Sequence, residues 1–416
     1  MSTSPVYPSS CVERFLRYVA YDTRSDETST TTPSTPSQLV LQQVLVDELR
    51  ALGLTDAVLD EYGYVYATLP ATTPRADVPV VGFIAHVDTS PEVSGTDVKP
   101  IVHANYDGRD LVLPDDPGAV LRMSEIPYLR EQMGHDIITA SGTTLLGADN
   151  KAGVAEIMGA VEYLVAHPEI EHGTIKIAFT PDEEIGRGAS HFDVARFGAA
   201  CAYTVDGGRR GELELESFSA DTFVAEFQGF NCHPGFARGV MVNSIKLASR
   251  FIASLPADQS PETTSGYEGY VHPYVVQASV DKTTVRVLLR DFVTKELAVK
   301  AAWLEQLATQ AVEGVAGASV TCRVEQSYRN MREILDHHPE VVDKARRAIV
   351  AAGIEPIMQP IRGGTDGSRL SFMGLPTPNI FAGEQTFHSR LEWVSTYDMH
   401  KAVEVIVRLS REWATA

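Results

Sequence analysis

The sequence contains few cysteines and no cysteine pair with metal-finger spacing. Its four cysteines, Cys11, Cys201, Cys232 and Cys322, form no C-x-x-C pair, which excludes a zinc finger and a thioredoxin-type motif. Their spacing does not match a disulfide framework, which indicates a reducing compartment. Residues 1–10 lack a basic segment followed by an apolar run. We therefore expect no signal peptide and a cytoplasmic protein.

Positive charge and long apolar runs are also scarce. No stretch approaches the roughly 20 apolar residues needed to span a membrane. Lys and Arg number 35 against 55 Asp and Glu, which gives a net charge of -20. Such a surface repels phosphate backbones and anionic lipids, so neither nucleic acid nor a membrane is an expected partner. A local excess of carboxylates is, however, one way to attract metal cations.

Apolar runs and helical patterns alternate in the first half of the chain. Nearly continuous apolar runs at 78–87, 174–180 and 200–205 predict strands that are buried on both faces. Helical patterning covers 8–21, 36–52 and 152–167, whereas 88–146 is rich in Pro, Gly and Asp and is predicted to be irregular. This alternation predicts an α/β fold with several parallel strands.

The rhythm changes at about residue 213. The order there is β-α-β-β-α-β, the ferredoxin-like split unit, with strands predicted at 220–228, 270–280, 284–292 and 318–328 and helices at 242–255 and 294–315. An α/β pattern resumes at about residue 329, with helices at 339–353 and 396–413 and a strand at 377–381. We therefore predict a first domain formed by 1–212 and 329–416, with a second domain, 213–328, inserted into it.

Acidic side chains and a histidine cluster at the predicted strand ends. His86 and Asp88 are two residues apart at the end of one strand, so their side chains point the same way. Glu183 and Glu184 follow the next strand, and Asp206 follows the third. Because open α/β sheets bind ligands at the carboxyl ends of their strands, these residues are candidates for one site.

Asp149, at the start of a predicted helix, and His388, in a late loop, complete the candidate set. Each member has an ordinary structural explanation when taken alone: a core or surface histidine, a helix cap, an acidic turn or an Asp-Gly turn. Together, carboxylates and imidazoles without thiolates suit a paired site for zinc or a similar divalent ion. Adjacent glutamates also suit two tasks, one binding metal and the other exchanging protons.

Several segments resemble the peptidase T family over nearly the whole chain. They are HVDTSPEVSG, TTLLGADNKAG, TPDEEIGRGA, YTVDGG, NCHPGFARGVMVN and RGGTDGSRLSFMGLPTPN. That family consists of tripeptide aminopeptidases within a clan of co-catalytic di-zinc exopeptidases, which also includes aminoacylase and carboxypeptidases. The resemblance implies a zinc-binding α/β catalytic domain that is interrupted by a lid domain.

The resemblance also implies roles for individual residues. Two zinc ions are expected, with Asp149 bridging them and a cis peptide bond after it. The other implied ligands are His86 and Asp206 for one ion and Glu184 and His388 for the second. Glu183 is implied as the general base acting on a metal-bridged water, and Asp88 as the residue that orients His86.

The lid segments imply further substrate contacts. His233 resembles an oxyanion donor, although a turn histidine is the alternative. Asn243, Arg290 and Arg362 resemble substrate-binding groups, and a structural ion pair is the alternative for each arginine. One departure is visible, because Ser389 follows His388 where the family pattern has glycine.

The predicted function is therefore di-zinc hydrolysis of the N-terminal residue from tripeptides, by a monomer or a homodimer. A dipeptidase, carboxypeptidase or deacylase on the same scaffold is the first alternative, because all of these share the metal centre. The lid segments, including PETTSGYEGY, favour peptidase T. A non-catalytic peptide-binding protein is the second alternative, against which Glu183 argues, because a binding module needs no proton carrier.

Overall fold

Residues 6–415 are described by a computed structural model, and they form two compact units. The first comprises the described residues up to Leu215, residues 334–359 and residues from Thr365 onward. The second comprises Glu216–Glu333 and Pro360–Gly364. The sequence predicted that the inserted domain spans 213–328, so its expected bounds differ from Glu216 and Glu333 by three and five residues. The sequence did not predict that residues 360–364 belong to the second unit. The expectation that there is no signal peptide concerns residues 1–10, and residues 1–5 are outside the described range.

The secondary structure alternates strands and helices through most of the chain. The strands are β1 (Val58–Leu59), β2 (Val65–Leu69), β3 (Val81–His86), β4 (Ile101–His103), β5 (Leu111–Val112), β6 (Val120–Leu121), β7 (Ile137–Thr139), β8 (Ile175–Thr180), β9 (Cys201–Gly207), β10 (Leu213–Glu214), β11 (Ser219–Gln228), β12 (Tyr270–Ala278), β13 (Lys282–Asp291), β14 (Ser319–Gln326), β15 (Asn379–Phe381), β16 (Glu384–Gln385) and β17 (Trp393–Ser395). The helices are α1 (Cys11–Tyr18), α2 (Gln38–Ala51), α3 (Ala148–Ala166), α4 (Val194–Phe197), α5 (Ser244–Ala253), α6 (Thr294–Val312), α7 (Arg332–Leu335), α8 (Pro339–Ala351), α9 (Asp366–Phe372) and α10 (Thr396–Ala414).

A mixed sheet forms the centre of the first unit. Its strand order is β1-β2-β8-β3-β9-β15-β10. The four inner strands β8, β3, β9 and β15 run parallel, and antiparallel strands flank them. The predicted α/β class is confirmed, and the apolar runs of the sequence are the strands at the middle of this sheet.

Both faces of this sheet are covered, which explains the continuous apolar runs. In β3, Phe83 and Ala85 belong to the main core, together with residues of α3 and α10, whereas Ile84 packs on the opposite face with Tyr64 and Phe197. Helix α3 is buried around most of its circumference and packs against β3, β9, α1 and α10. An element buried on every side carries apolar residues on every side.

The expectation that 88–146 would be irregular was wrong in part. Strands β4, β5, β6 and β7 lie in this segment. β4 and β7 join β16 and β17 in a separate antiparallel sheet with the order β16-β17-β7-β4. Strands of two or three residues are too short to show a period of two in the sequence, which is why the pattern missed them.

The second unit is an α+β fold built on an antiparallel sheet. Its strand order is β12-β13-β11-β14, the ferredoxin-like arrangement that the sequence predicted. Alternate residues of β13, namely Val285, Val287 and Leu289, are buried beneath α5 and α6. Lys282 and Thr283, which lie between the predicted strands 270–280 and 284–292, begin β13 instead.

The next two observations concern membrane-spanning helices and cysteine pairing in the described part of the chain. No helix between residues 6 and 415 is both long enough and apolar enough to cross a membrane. Each of the four cysteines carries a free thiol, and those of Cys11 and Cys201 are buried. Burial raises the pKa of the Cys11 thiol to about 12, which keeps it protonated and unreactive.

Candidate metal centre and active site

The central strands deliver the candidate residues to one edge of the sheet. His86 is the last residue of β3, and Glu183 and Glu184 open a short 3-10 turn after β8. Asp206 was expected after its strand but lies within β9, which continues to Gly207. Because β8, β3 and β9 are parallel neighbours, their carboxyl ends meet and these side chains converge.

Asp149 lies between two histidines. Its Oδ1 is 3.0 Å from Nε2 of His86, and its Oδ2 is 3.2 Å from Nε2 of His388. Asp206 Oδ1 lies 3.3 Å from Nε2 of His86, and Glu184 Oε2 lies 2.7 Å from Nε2 of His388. The peptide bond between Asp149 and Asn150 is cis, as the resemblance implied. The two oxygens of one carboxylate thus face two separate His-carboxylate pairs.

The donor atoms fit divalent cations. Ligand atoms of His86, Asp149 and Glu184 lie within 4.8 Å of one another, and so do those of Asp149, Asp206 and Glu384. Oε1 of Glu184 and Oε2 of Glu384 are buried and have no hydrogen-bond partner. Imidazole nitrogens and carboxylate oxygens without thiolates are a donor set that hydrolytic zinc sites use. The residues present therefore fit a pair of divalent ions.

Asp88 connects His86 to the glutamate turn. Its backbone oxygen lies 3.0 Å from Nδ1 of His86, and its Oδ1 lies 3.3 Å from the same nitrogen. Its carboxylate also accepts hydrogen bonds from the backbone N–H groups of Glu183 at 3.0 Å and Glu184 at 3.2 Å. This arrangement orients the imidazole so that Nε2 faces the candidate site.

Asp182, the first of the three consecutive acidic residues, anchors the turn instead of facing the site. Its carboxylate accepts hydrogen bonds from the backbone N–H of Ser34 at 2.7 Å, from the Ser34 hydroxyl at 2.5 Å and from the Gln38 amide at 2.7 Å. It adopts a positive φ of 57°. This backbone conformation turns the chain so that the next two residues face the cluster.

Burial and close charges shift the acidity of the cluster. Burial raises the pKa of Glu183 well above its usual range, although the charge of His86 opposes it. Burial also raises the pKa of Glu184, to about 8. For Asp149, burial is outweighed by hydrogen bonds from His388 and His86, which lower its pKa. The hydrogen bonds of His388 to Asp149 and Glu184 outweigh its burial and raise its pKa to about 11.

Glu392 is a functional candidate that the sequence analysis missed. Its carboxylate accepts hydrogen bonds from the backbone N–H groups of Leu146 at 2.7 Å, Gly147 at 2.8 Å and Asp149 at 2.9 Å. Burial raises its pKa to about 7. Glu392 thus fixes the backbone that presents Asp149. The sequence feature that could have pointed to it is the presence of two glutamates, Glu384 and Glu392, within four residues of His388 on either side.

Asp366 was also missed. It is the first residue of α9, and its Oδ2 accepts a hydrogen bond from the Thr180 hydroxyl at 2.8 Å. A side chain at Gly188 would collide with its carboxylate, so this glycine leaves room for it. Burial raises the pKa of Asp366 to about 7, and its negative charge raises the pKa of Glu183 further.

Ser389, the departure from the family pattern, closes the loop beside His388. Its hydroxyl donates a hydrogen bond to the backbone oxygen of Thr386 at 2.5 Å and accepts one from the N–H of Leu391 at 3.1 Å. His388 itself has a positive φ of 58°. The serine therefore supports the turn that carries His388.

The remaining predicted site residues lie in the second unit. The exposed His233 accepts a hydrogen bond at Nδ1 from the N–H of Gly235 at 3.1 Å, as a turn histidine does. Asn243 caps α5 by accepting a hydrogen bond from the N–H of Ile245 at 2.9 Å. Both residues thus have a local structural role, and their contact with substrate stays a prediction.

The two arginines are held by carbonyl groups and aromatic rings. Arg362 donates to the backbone oxygens of Gly266 and Glu268, both at 2.8 Å, and to the Thr264 hydroxyl at 2.9 Å. Arg290 lies over the Tyr328 ring at 5.4 Å. Neither arginine forms an ion pair with any residue in the described range 6–415, so the structure does not support the ion-pair alternative.

Comparisons with known proteins agree over almost the entire chain. Residues 141–412 match the model of peptidase family M20/M25/M40. A peptidase T from Desulfitobacterium hafniense is 51% identical over 406 residues, 98% of both chains. The fold is similar to that of the aminopeptidase PepT from Bacillus cereus, with a TM-score of 0.74 and 24% identity over 97% of this chain and 98% of that one. A tripeptidase from Staphylococcus aureus has a TM-score of 0.75 and 20% identity over the same shares of the two chains.

The family model covers well over half of the chain, and the identity to the curated relative extends over nearly all of it. Four of the residues that converge at the sheet edge, His86, Asp149, Glu184 and Asp206, lie in segments that carry the resemblance to that family. The chain therefore belongs to peptidase family M20/M25/M40 and, within it, to the peptidase T family.

Proposed function

We propose that this chain is a metal-dependent aminopeptidase that removes the N-terminal residue from tripeptides. The observation that carries the proposal is the position of Asp149, whose two carboxylate oxygens face His86 at 3.0 Å and His388 at 3.2 Å. A carboxylate placed in this way suits a bridge between two cations. The similarity to proteins named peptidase T, aminopeptidase and tripeptidase supports the reaction and the substrate class.

Two ions, with zinc as the first choice, are proposed to share Asp149. The remaining ligands would be His86 and Asp206 for one ion and Glu184 and His388 for the other. When bound, the ions would polarise the scissile carbonyl and lower the pKa of a water molecule at the site. Asp88 keeps Nε2 of His86 directed toward the site through its contacts with Nδ1.

Glu183 is the proposed general base. Its Oε2 lies 4.0 Å from Nε2 of His86, so it borders the ligand cluster without a close bond to a histidine. Burial raises its pKa well above the usual range. A carboxylate whose pKa is raised is a stronger base, which favours taking a proton from water and returning it to the leaving amine. The hydrogen bond from its backbone N–H to Asp88 fixes its position.

In the second unit, we retain the assignments that the family resemblance implies. His233 would donate a hydrogen bond to the developing oxyanion, and Asn243, Arg290 and Arg362 would bind the substrate. Arg362 uses two of its nitrogens for protein contacts, so further donors of its guanidinium remain for a carboxylate. The predictions of a cytoplasmic location and of a monomer or homodimer rest on the sequence alone.

The first experiment compares trialanine, N-acetyl-trialanine and dialanine as substrates, each with and without a chelator. Release of the N-terminal residue from free trialanine alone, abolished by the chelator and restored by Zn²⁺, is the expected result. Cleavage of the acetylated peptide would instead indicate a deacylase or carboxypeptidase, and cleavage of dialanine a dipeptidase. Tight peptide binding without cleavage, with zinc restored, would indicate a binding protein.

A further inference from the structure

Glu384 lies at the candidate metal centre, although neither the sequence patterns nor the family resemblance gave it a role. It is the first residue of β16 and is 1% exposed. One of its carboxylate oxygens lies within 4.8 Å of ligand atoms of both Asp149 and Asp206. It therefore adds a third carboxylate on the side of Asp149 where Asp206 and His86 converge.

Glu384 lacks a close partner of opposite charge among residues 6–415. Its Oε2 is buried without a hydrogen-bond partner, and no salt bridge to Glu384 occurs within the part of the chain that the structure describes. The carboxylates of Asp149 and Asp206 beside it carry the same charge. A buried carboxyl beside two others is neutralised either by a proton or by a bound cation. A divalent cation shared with Asp149 and Asp206 would supply the positive charge and take the place of the proton.

The backbone holds Glu384 firmly at this place. The N–H groups of Ala382 and Gly383 both donate to the backbone oxygen of Gly207, at 2.7 and 3.2 Å. This anchors the segment to β9 directly beside Asp206. The backbone of Glu384 then pairs with Val394 in β17. These backbone contacts therefore hold Glu384 next to the cluster, and its side chain is not a freely moving one on the surface.

We propose that Glu384 is an additional ligand of the divalent ion held by Asp149 and Asp206. The inference rests on the proposed function, because it presupposes that the centre binds metal. With His86 it makes a donor set of one imidazole and three carboxylates. More carboxylate oxygens favour harder ions such as Mn²⁺, so Glu384 strengthens Mn²⁺ binding at this position.

The test measures Mn²⁺ binding to the full-length, metal-free protein by isothermal titration. We expect two ions per wild-type chain, and Glu384→Gln weakens one of them by at least about 10-fold and leaves the other unchanged. Glu156→Gln is the matched control, because Glu156 is fully buried, has no hydrogen-bond partner for either oxygen, and does not belong to the ligand cluster. It should leave both affinities unchanged.

A crystal structure of the wild-type protein loaded with Mn²⁺ gives an independent readout. Anomalous scattering should place an ion about 2.0–2.6 Å from a carboxylate oxygen of Glu384. An ion more than about 3.5 Å away, unchanged affinities in Glu384→Gln, or equal losses in Glu156→Gln would each overturn the proposal. A wild-type chain that binds no divalent ion would instead overturn the proposed function itself.

Discussion

Glu183 and Glu184 are neighbours in the sequence but have different surroundings. Glu184 lies 2.7 Å from Nε2 of His388, whereas Glu183 lies 4.0 Å from its nearest histidine nitrogen. The backbone N–H groups of both are fixed by Asp88. One glutamate is thus held as a ligand would be, and the other is left able to exchange a proton.

The consequence is a separation of metal binding from turnover. Glu183→Gln should lower kcat on a free tripeptide by about 10²–10⁴-fold, because the amide cannot accept the proton. Its metal content, measured by plasma emission spectroscopy, should equal that of the wild type. Glu184→Gln should lose bound metal. If Glu183→Gln lost metal and Glu184→Gln kept it, the two roles would have to be exchanged.

Glu392 offers a test of how Asp149 is positioned. Glu392→Gln replaces a carboxylate that accepts three backbone hydrogen bonds with an amide whose NH₂ group cannot accept them. We expect a 10- to 100-fold loss of metal affinity, about the effect of removing a group that orients a ligand. Isothermal titration measures this effect.

A half-buried carboxylate that is not among the candidate ligands provides the control for Glu392. Glu214 accepts a hydrogen bond from the Asn379 amide at 2.6 Å, and Glu214→Gln should preserve metal affinity. A lower melting temperature in Glu392→Gln with unchanged metal affinity would mean that Glu392 supports the fold but does not position Asp149.

The residues that sequence reasoning found and missed differ in their backbone setting. His86, Glu183 and Asp206 are at the ends of apolar strands, where the edge of a parallel sheet predicts a ligand site. Glu384 begins the two-residue strand β16, and Glu392 directly precedes the three-residue strand β17; strands this short carry no periodic pattern. Their contacts are with residues far away in the sequence, so only the folded structure brings them to the centre.

At the scale of elements, long buried strands were predicted well and short ones were missed. β3, β8 and β9 have six or seven residues, and both faces of each are covered. β7 and β17 have three residues each. Helix α3 was expected to begin at residue 152, whereas its range begins at Ala148. Asp149 and Asn150 lack helical backbone angles, so the regular part of the helix follows them, close to the expected start.

Gly153 marks the closest approach of α3 to β9. A Cβ there would lie 1.9 Å from the backbone oxygen of Val205 and 2.3 Å from Oδ1 of Asn150. Gly153→Ala should therefore push the helix that carries Asp149 away from the strand that carries Asp206. We expect a loss of about 1–3 kcal/mol in the free energy of unfolding, measured by urea denaturation, together with weaker metal binding.

Gly118 is a suitable comparison for Gly153. A Cβ at Gly118 would meet only Oδ1 of the Asp116 side chain, at 3.2 Å, and Gly118 does not adopt a positive φ. Gly118→Ala should change stability and metal binding little. Equal stability of Gly153→Ala and the wild type would contradict the close packing of α3 on β9.

Asn243 combines a structural and a proposed functional role that substitution can separate. Asn243→Ala removes the cap of α5 and should lower stability by about 0.5–2 kcal/mol, whereas Asn243→Asp keeps a capping oxygen. Melting temperature reports the cap, and KM for a tripeptide reports the substrate contact. A raised KM in Asn243→Asp, at wild-type stability, is expected. An unchanged KM in both variants would mean that Asn243 caps α5 and does not contact the substrate.

At the scale of the whole molecule, the sequence predicted a second domain inserted into the first. It did not predict that residues 360–364 belong to the second unit. The change from parallel α/β rhythm to a split β-α-β-β-α-β order marked the insertion clearly. Residues 360–364 return to the second unit through a bridge between Ser217 and Ile361 and a hydrogen bond from the N–H of Ile361 to the Glu216 oxygen at 2.8 Å. A crossing of five residues has no periodicity to detect.

The buried carboxyl groups in and around the candidate site should also make the stability of the metal-free protein depend on pH. Burial raises the pKa of Glu184 to about 8 and those of Glu392 and Asp366 to about 7. In an unfolded chain such carboxyls titrate near pH ~4. Between these values the folded state holds more protons than the unfolded state, so the free energy of unfolding falls as pH rises. His388, with its pKa raised to about 11, acts in the same direction above pH ~6.5.

Without metal, the protein should therefore lose stability steadily from about pH 4.5 to about pH 8. Divalent ions bind the deprotonated ligands, so the stabilisation they add should grow over the same range. Urea denaturation at pH 5, 6, 7 and 8, with a chelator and with saturating Zn²⁺, measures both curves. They should lie close together at pH 5 and separate toward pH 8. Parallel curves would mean that the buried carboxyls are not where the ions bind, since only a shared site links metal affinity to their protons.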